Sequence, residues 1–326
     1  MNENLRVKAD EMLERYKKIE KDFIWESNLA KHFVALIMTQ SDKHYSKENL
    51  KNALEVINKN SGVFSNFRGM YRLMLAGLMV VDSDSVEGTF SRILNCESIL
   101  KEAGFKSSTH LPLASYALYK VAGEESPRLI ATKAKTIYQE MKSAHPWITS
   151  GDDYSMSVML AVSGCELSRI ESAYQQLNSR GFYKGNELQR LSHILALSNR
   201  SIEELVEVCV KMKDMLKQNK MNLSASFYAT LGIIALIYFE DERIMNDWIE
   251  LSIYLSHQKK YKWLGKGMNI MLASALVSDQ WIDETLNSEV AKLSISISIE
   301  ALISAQMAAI IAATSASAAA GASAAT

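Results

Sequence analysis

The 326-residue sequence predicts an all-α protein of about seven consecutive αα-hairpins, in a curved or closed α/α toroid-like repeat, followed by a C-terminal Ala-rich helix. Three observations carry this reading. Only three prolines occur, Pro112, Pro127 and Pro146, so little interrupts helices and loops are short. Apolar residues recur at helical period, as in Leu205, Val208, Cys209, Met212, Met215 and Leu216. A pattern of one charged and one nearly uncharged helix returns every 35–42 residues, a common size for helix-pair repeats.

In each hairpin the charged, amphipathic helix comes first and is termed A. These are expected at 3–22, 47–60, 86–103, 126–144, 166–179, 202–219 and 242–259. Their partners, termed B, are rich in Ala, Leu, Met and Ser and are expected at 27–41, 66–81, 109–122, 152–163, 186–198, 224–239 and 266–278. A helix that is apolar nearly all round must be covered nearly all round, so the B helices form an inner layer and the A helices a solvated outer one. Between A and B stands an aromatic or large apolar anchor: Trp25, Phe64, Phe105, Trp147, Phe182, Leu223 and Trp263. These anchors are expected to be buried at the turns. The low charge of the B helices favours ring closure over an open superhelix, and the tetratricopeptide W-x-x-L-G-x-x-Y signature is absent. Residues 1–283 form one helical-repeat domain, and 284–326 a tail that is uncharged from Ala301 onward.

Composition narrows the function. Lys plus Arg total 36 against 37 for Asp plus Glu, a net charge of −1 that argues against nucleic-acid binding. Cys96, Cys165 and Cys209 show no paired spacing, which fits a reducing compartment. The charged N-terminus is no secretory signal, so a cytoplasmic location is expected. Neither C-x-x-C nor H-E-x-x-H occurs, so no metal is expected, and no cofactor motif is present.

Candidate site residues follow from register. Four to six positions past the anchors, the A–B turns should bring Arg68, His110, Asp152, Asp153, Asn186, Glu187 and Asn269 to one mouth, with Gln189, His193 and His32 deeper. Asp152, Asp153, Glu187 and His110 are the candidate catalytic groups. Arg68, Asn186, Gln189, His193 and Asn269 are candidate ligand-binding groups. Each has a plainer reading: acids in a first helical turn complement the dipole, and Ser65, Ser107, Ser150 and Ser224 are ordinary N-caps.

The phrases WESNLAKHF (25–33), FSNFRG (64–69), GFKSSTHLPLA (104–114), TSGDDY (149–154) and GNELQRLSHILA (185–196) resemble an uncharacterised protein family of Bacillus and related Firmicutes. The resemblance extends over nearly the whole chain, the Ala-rich tail included. It implies no activity, and no site residue is carried over from it.

In the tail, Leu302, Ile303, Met307, Ile310 and Ile311 form one helical stripe. A stripe suits docking on protein, whereas a lipid-facing helix needs bulk on every side, so a membrane span is disfavoured. A helix over 299–314, packed on the B layer or on a second copy of the chain, is expected. The function that fits best is a repeat scaffold holding a small molecule, peptide or protein through the polar ring. The alternatives are a toroid enzyme of hydrolase or lyase/cyclase type using Asp152 or Asp153 as acid or base, and an assembly or membrane-associated role through the tail.

Overall fold

Alternation of charged amphipathic segments with nearly uncharged ones resolves into fourteen α-helices among the described residues. The structure is a computed structural model that describes residues 1–285 except 42, 83, 84 and 124, together with Ile303. Of the described residues 76% are helical and none lies in a strand. The A helices are α1 (Glu3–Asp22), α3 (Lys47–Asn60), α5 (Val86–Glu102), α7 (Pro127–Ala144), α9 (Leu167–Ser179), α11 (Ile202–Gln218) and α13 (Glu242–His257). They alternate with the B helices α2 (Asn28–Gln40), α4 (Arg72–Asp82), α6 (Leu111–Val121), α8 (Tyr154–Ser163), α10 (Asn186–Ala196), α12 (Tyr228–Ile237) and α14 (Lys266–Thr285).

The A helices start where the sequence can cap them. The hydroxyls of Ser46, Ser85 and Ser201 accept the backbone N–H groups of Asn49, Gly88 and Glu204, and Pro127 opens α7 with its φ already helical. Three A helices stop in the same way. After α5, α9 and α11 the chain turns left-handed at Gly104, Gly181 and Lys220. The next residue then donates its N–H five residues back: Phe105 to Leu100 O, Phe182 to Leu177 O and Met221 to Leu216 O. This geometry drives an apolar side chain into the core at each exit.

Every residue of α12 is buried, as are Leu188 through Ala196 of α10, so these stretches of the B layer are covered on all sides. Each B helix packs on the next, from α2 and α4 through to α12 and α14, and α14 packs back against α2. Small residues set the closest approaches. A Cβ on Gly77 of α4 would sit 2.8 Å from Val34 Cγ2, and one on Gly232 of α12 would sit 2.7 Å from Ile194 Cγ2. The first and last hairpins are joined by polar bonds. Asn2 N–H donates to Asp247 Oδ1 at 2.8 Å, Lys8 Nζ meets Asp279 Oδ2 at 2.8 Å, and Gln40 Nε2 donates to Ala275 O at 3.1 Å. The His32 ring stacks on Tyr16 at 3.7 Å and meets the edge of Tyr261.

The apolar interior forms two clusters. One is built mainly from hairpins 3 and 4, the other from hairpins 1, 2, 5, 6 and 7. They interleave along α5 and α6 on one side and along α9, α10 and α12 on the other.

Two expectations are corrected. Of the six aromatic anchors, only Phe105 and Phe182 are buried; Trp25, Phe64, Trp147 and Trp263 are 94%, 101%, 96% and 85% exposed, and Leu223 is half-buried. The buried plug is a neighbour in other turns, Phe23, Phe67, Met221 and Tyr261. The repeat of aromatics therefore mixes inward plugs with outward tips, because turn length varies between hairpins. Ser107 is also not an N-cap. Its hydroxyl accepts from Asn66 Nδ2, and His110 holds the cap position of α6. In the tail, Ile303 is helical and buried in the larger cluster. The rest of the stripe and of the 299–314 helix lies outside the described residues.

Candidate polar site at the joint of hairpins 4 and 5

The seven A–B turns touch one another in succession. Arg72 pairs with Glu26 at 2.6 Å between hairpins 1 and 2, and Asn66 bonds Ser107 between 2 and 3. Gly151 lies against His110 and Ser108 between 3 and 4. Asp152 reaches Asn186 and Arg190 between 4 and 5, and Phe182 meets the edge of Tyr228 between 5 and 6. Lys266 Nζ bonds Lys220 O between 6 and 7, and Lys260 pairs with Glu20 at 2.6 Å between 7 and 1.

The densest polar group on this rim centres on Arg190, in the second turn of α10. Its guanidinium takes Asp152 Oδ2 at 2.9 Å on one side and Glu187 Oε2 at 2.6 Å on the other. Asn186 Nδ2 adds a bond to the same Asp152 oxygen at 3.0 Å. Burial pushes the Asp152 carboxyl up, but the Ser150 hydroxyl, Arg190 and Asn186 outweigh it and hold the group below its usual range. Glu187 moves the other way, because burial exceeds what Arg190 returns. Asp153 is buried and accepts the Ser150 N–H at 2.9 Å, which is the capping role expected of a first-turn acid. Burial and the neighbouring Asp152 charge push it up to about 7. The His110 imidazole lies near Tyr71 and is held below its usual range by burial.

Deeper along the same face of α10 stand Gln189 and His193. Gln189 Nε2 donates to Thr149 Oγ1 at 2.9 Å, while its Oε1 has no partner. His193 is fully buried, both ring nitrogens are unpartnered, and burial holds it down to about 3. Asn186 Oδ1 and Ser108 Oγ are likewise buried and unpartnered.

The predicted ring thus assembles in part. Asp152, Asn186 and Glu187 come together, with Gln189 and His193 below them. Arg68 does not join. It lies in a short 3-10 turn ahead of α4 and folds back on Asn58 O and Ser61 O, capping α3. Asn269 donates to Tyr261 O at 3.1 Å and belongs to the joint of hairpins 7 and 1. A recess of about 380 Å³ beside Phe64, bordered by Lys101 and Ser107, lies at the joint of hairpins 2 and 3 instead. Sequence reasoning missed Arg190. Its signal was an arginine three residues after Glu187, between Leu188 and Leu191 on a helix expected in the inner layer, a position that forces it to find acids nearby.

The family model described as "Protein of unknown function (DUF4003)" matches residues 15–308. The chain belongs to this family. The match begins inside α1, covers the thirteen helices that follow and ends within the tail, so the Ala-rich end that the sequence resemblance took in extends past it. A relative, "Uncharacterized protein YeaA" of Bacillus subtilis (strain 168), is 26% identical over 239 residues, 72% of this chain and 71% of its own length. No solved structure matches. Among the described residues no helix is long and apolar enough to cross a membrane, and no three His, Cys, Asp or Glu side chains form a metal-binding group.

Proposed function

We propose that this protein is a binding protein on a closed α/α toroid, which takes a small hydrogen-bond-donating molecule or a peptide end at the α8–α10 joint. The observation that carries this reading is the run of unpaired acceptors on one face of α10. Positions 186, 189 and 193 are one helical turn apart, and Asn186 Oδ1, Gln189 Oε1 and the His193 ring are buried without partners. A buried polar atom left unpaired costs roughly 1–3 kcal/mol. A ligand bearing N–H or O–H groups relieves that cost, and the Asp152 and Glu187 carboxylates add acceptors at the mouth. Arg190 is already met by both acids, so a neutral or cationic donor suits the site better than an anion.

Ring closure is supported by the packing of α14 on α2 and of α13 on α1. An enzyme is the weaker reading: Asp153 is engaged by the Ser150 N–H and Asp152 by Arg190, so neither is a free acid or base. A cytoplasmic setting, suggested by three unpaired cysteines, belongs to the same proposal.

The test is a thermal-shift panel of polyamines, polyols and short peptides. At least one class should raise Tm in the native protein and fail to do so in a Gln189→Leu/His193→Leu double variant. If no class shifts the native protein and the double variant is simply more stable, these atoms are internal polarity and the binding reading falls.

A further inference from the structure

Turn tips with nothing packed on them should be polar, yet here they carry the most exposed large apolar side chains among the described residues. Among the described residues, every large hydrophobic side chain more than 60% exposed stands at an A–B turn. The aromatic ones are Trp25, Phe64, Trp147, Tyr183 and Trp263, and Ile24 and Val63 flank the first two. Exposed apolar groups scattered singly are ordinary, but five aromatics gathered on one linked rim are not.

The exposed charges in those turns share one sign. Lys106, Lys184, Lys220, Lys259 and Lys262 stand exposed in the turns, and none meets a carboxylate within salt-bridge distance among the described residues. The acids within the same turns are Glu26, Asp152 and Asp153, and none is exposed. The opposite turns are mixed in sign, with Glu125, Glu166, Glu240 and Asp241 beside Lys43 and Arg200.

We infer that the A–B rim docks on the surface of an anionic lipid bilayer. Trp and Tyr settle at the boundary between headgroups and acyl chains, where an apolar ring and a polar N–H or O–H are both accommodated. Lysines beside them add attraction to anionic headgroups. A protein partner fits less well. Protein interfaces concentrate aromatics in one desolvated centre and exclude lysine, whereas here the aromatics are spread over five turns with lysines between them. The inference concerns association with a surface and requires no membrane-spanning helix.

Tryptophan fluorescence reads this directly. The chain has five tryptophans; Trp25, Trp147 and Trp263 are on the rim, and Trp248 and Trp281 are buried. Full-length protein is mixed with vesicles of phosphatidylglycerol or of phosphatidylcholine, and binding is followed by co-sedimentation and emission. Phosphatidylglycerol vesicles should pull the protein down at low salt, shift emission to the blue, and release the protein as salt rises. Lys184→Gln and Lys262→Gln should each weaken partitioning by roughly fivefold. A Trp25→Ser/Trp147→Ser/Trp263→Ser variant should keep its helix content and lose the interaction. The inference is overturned by no co-sedimentation with phosphatidylglycerol, by equal binding to phosphatidylcholine, or by full binding of the triple variant. Binding lost only on truncation after Glu300 likewise overturns it and assigns the contact to the tail.

Discussion

At the scale of single residues, three buried titrating groups set opposing responses to pH. His32 and His193 fold neutral, both held down to about 3 by burial, whereas unfolded imidazoles titrate near 6.5. The unfolded chain binds their protons, so the stability they contribute is complete above about pH 6.5 and is lost as pH falls toward 3. Asp153 acts in the opposite sense. Its folded carboxyl, raised to about 7, keeps a proton that the unfolded group releases near 3.8. Its contribution is complete below about pH 3.8 and is lost as pH rises toward 7. Between about pH 4 and 6.5 these three leave a net slope of roughly one proton, ~1.4 kcal/mol per pH unit. Asp153→Asn removes the opposing group while leaving an oxygen for the Ser150 N–H, so its slope should steepen by about one proton. Urea melts of both proteins across this range test the point, and parallel slopes would refute it. The capping role of Asp153 could be read from its place in the first helical turn. The pairing of Asp152 with Arg190 could not, because the partner sits in the next hairpin and nothing in local spacing links them.

At the scale of elements, most helix boundaries were readable within a few residues because composition changes sharply between A and B. By contrast, α4 begins six residues after the expected 66, behind a 3-10 turn, and α14 runs seven past the expected 278. Which aromatic turns inward was not readable. Burial at the exit of an A helix is decided by backbone geometry: where the chain turns left-handed after the helix, the next side chain becomes the plug. Gly104 before Phe105 and Gly181 before Phe182 announce this turn in the sequence. Lys220 before Met221 adopts the same turn with φ 60 and gives no such sign, which is why the sequence pattern points to Leu223 instead. A left-handed L-residue is strained by about 1–2 kcal/mol, part of which glycine loses again through its freer unfolded chain. Lys220→Gly is therefore expected to stabilise the protein by about 0.5–1 kcal/mol, measured as a higher urea midpoint at constant m value. The equivalent Gly181→Lys should destabilise it by a similar amount. A lower midpoint for Lys220→Gly would mean that the lysine side chain, rather than the turn, holds the α11 exit.

At the scale of the whole molecule, the contacts between hairpins 1 and 7 decide how the array unfolds. An open row of hairpins frays from its ends, because a terminal repeat has one neighbour and an internal repeat has two. Here α1 packs on α13 and α14, and α14 on α2, so the first and last hairpins each have two neighbours. Asp247 is central to that joint. It is buried, accepts the Asn2 N–H at 2.8 Å and accepts the Trp281 Nε1–H at 3.2 Å. Asp247→Ala leaves both donors without their acceptor and should cost roughly 1–3 kcal/mol. Hydrogen exchange separates the two architectures. In the native protein the amides of α1, α2, α13 and α14 should be protected about as well as those of α6 and α8. In the variant, protection should fall first in hairpins 1 and 7 together, since opening one joint turns both into ends. If α1 and α14 already exchange fastest in the native protein, the joint is a weak contact and the array behaves as an open one.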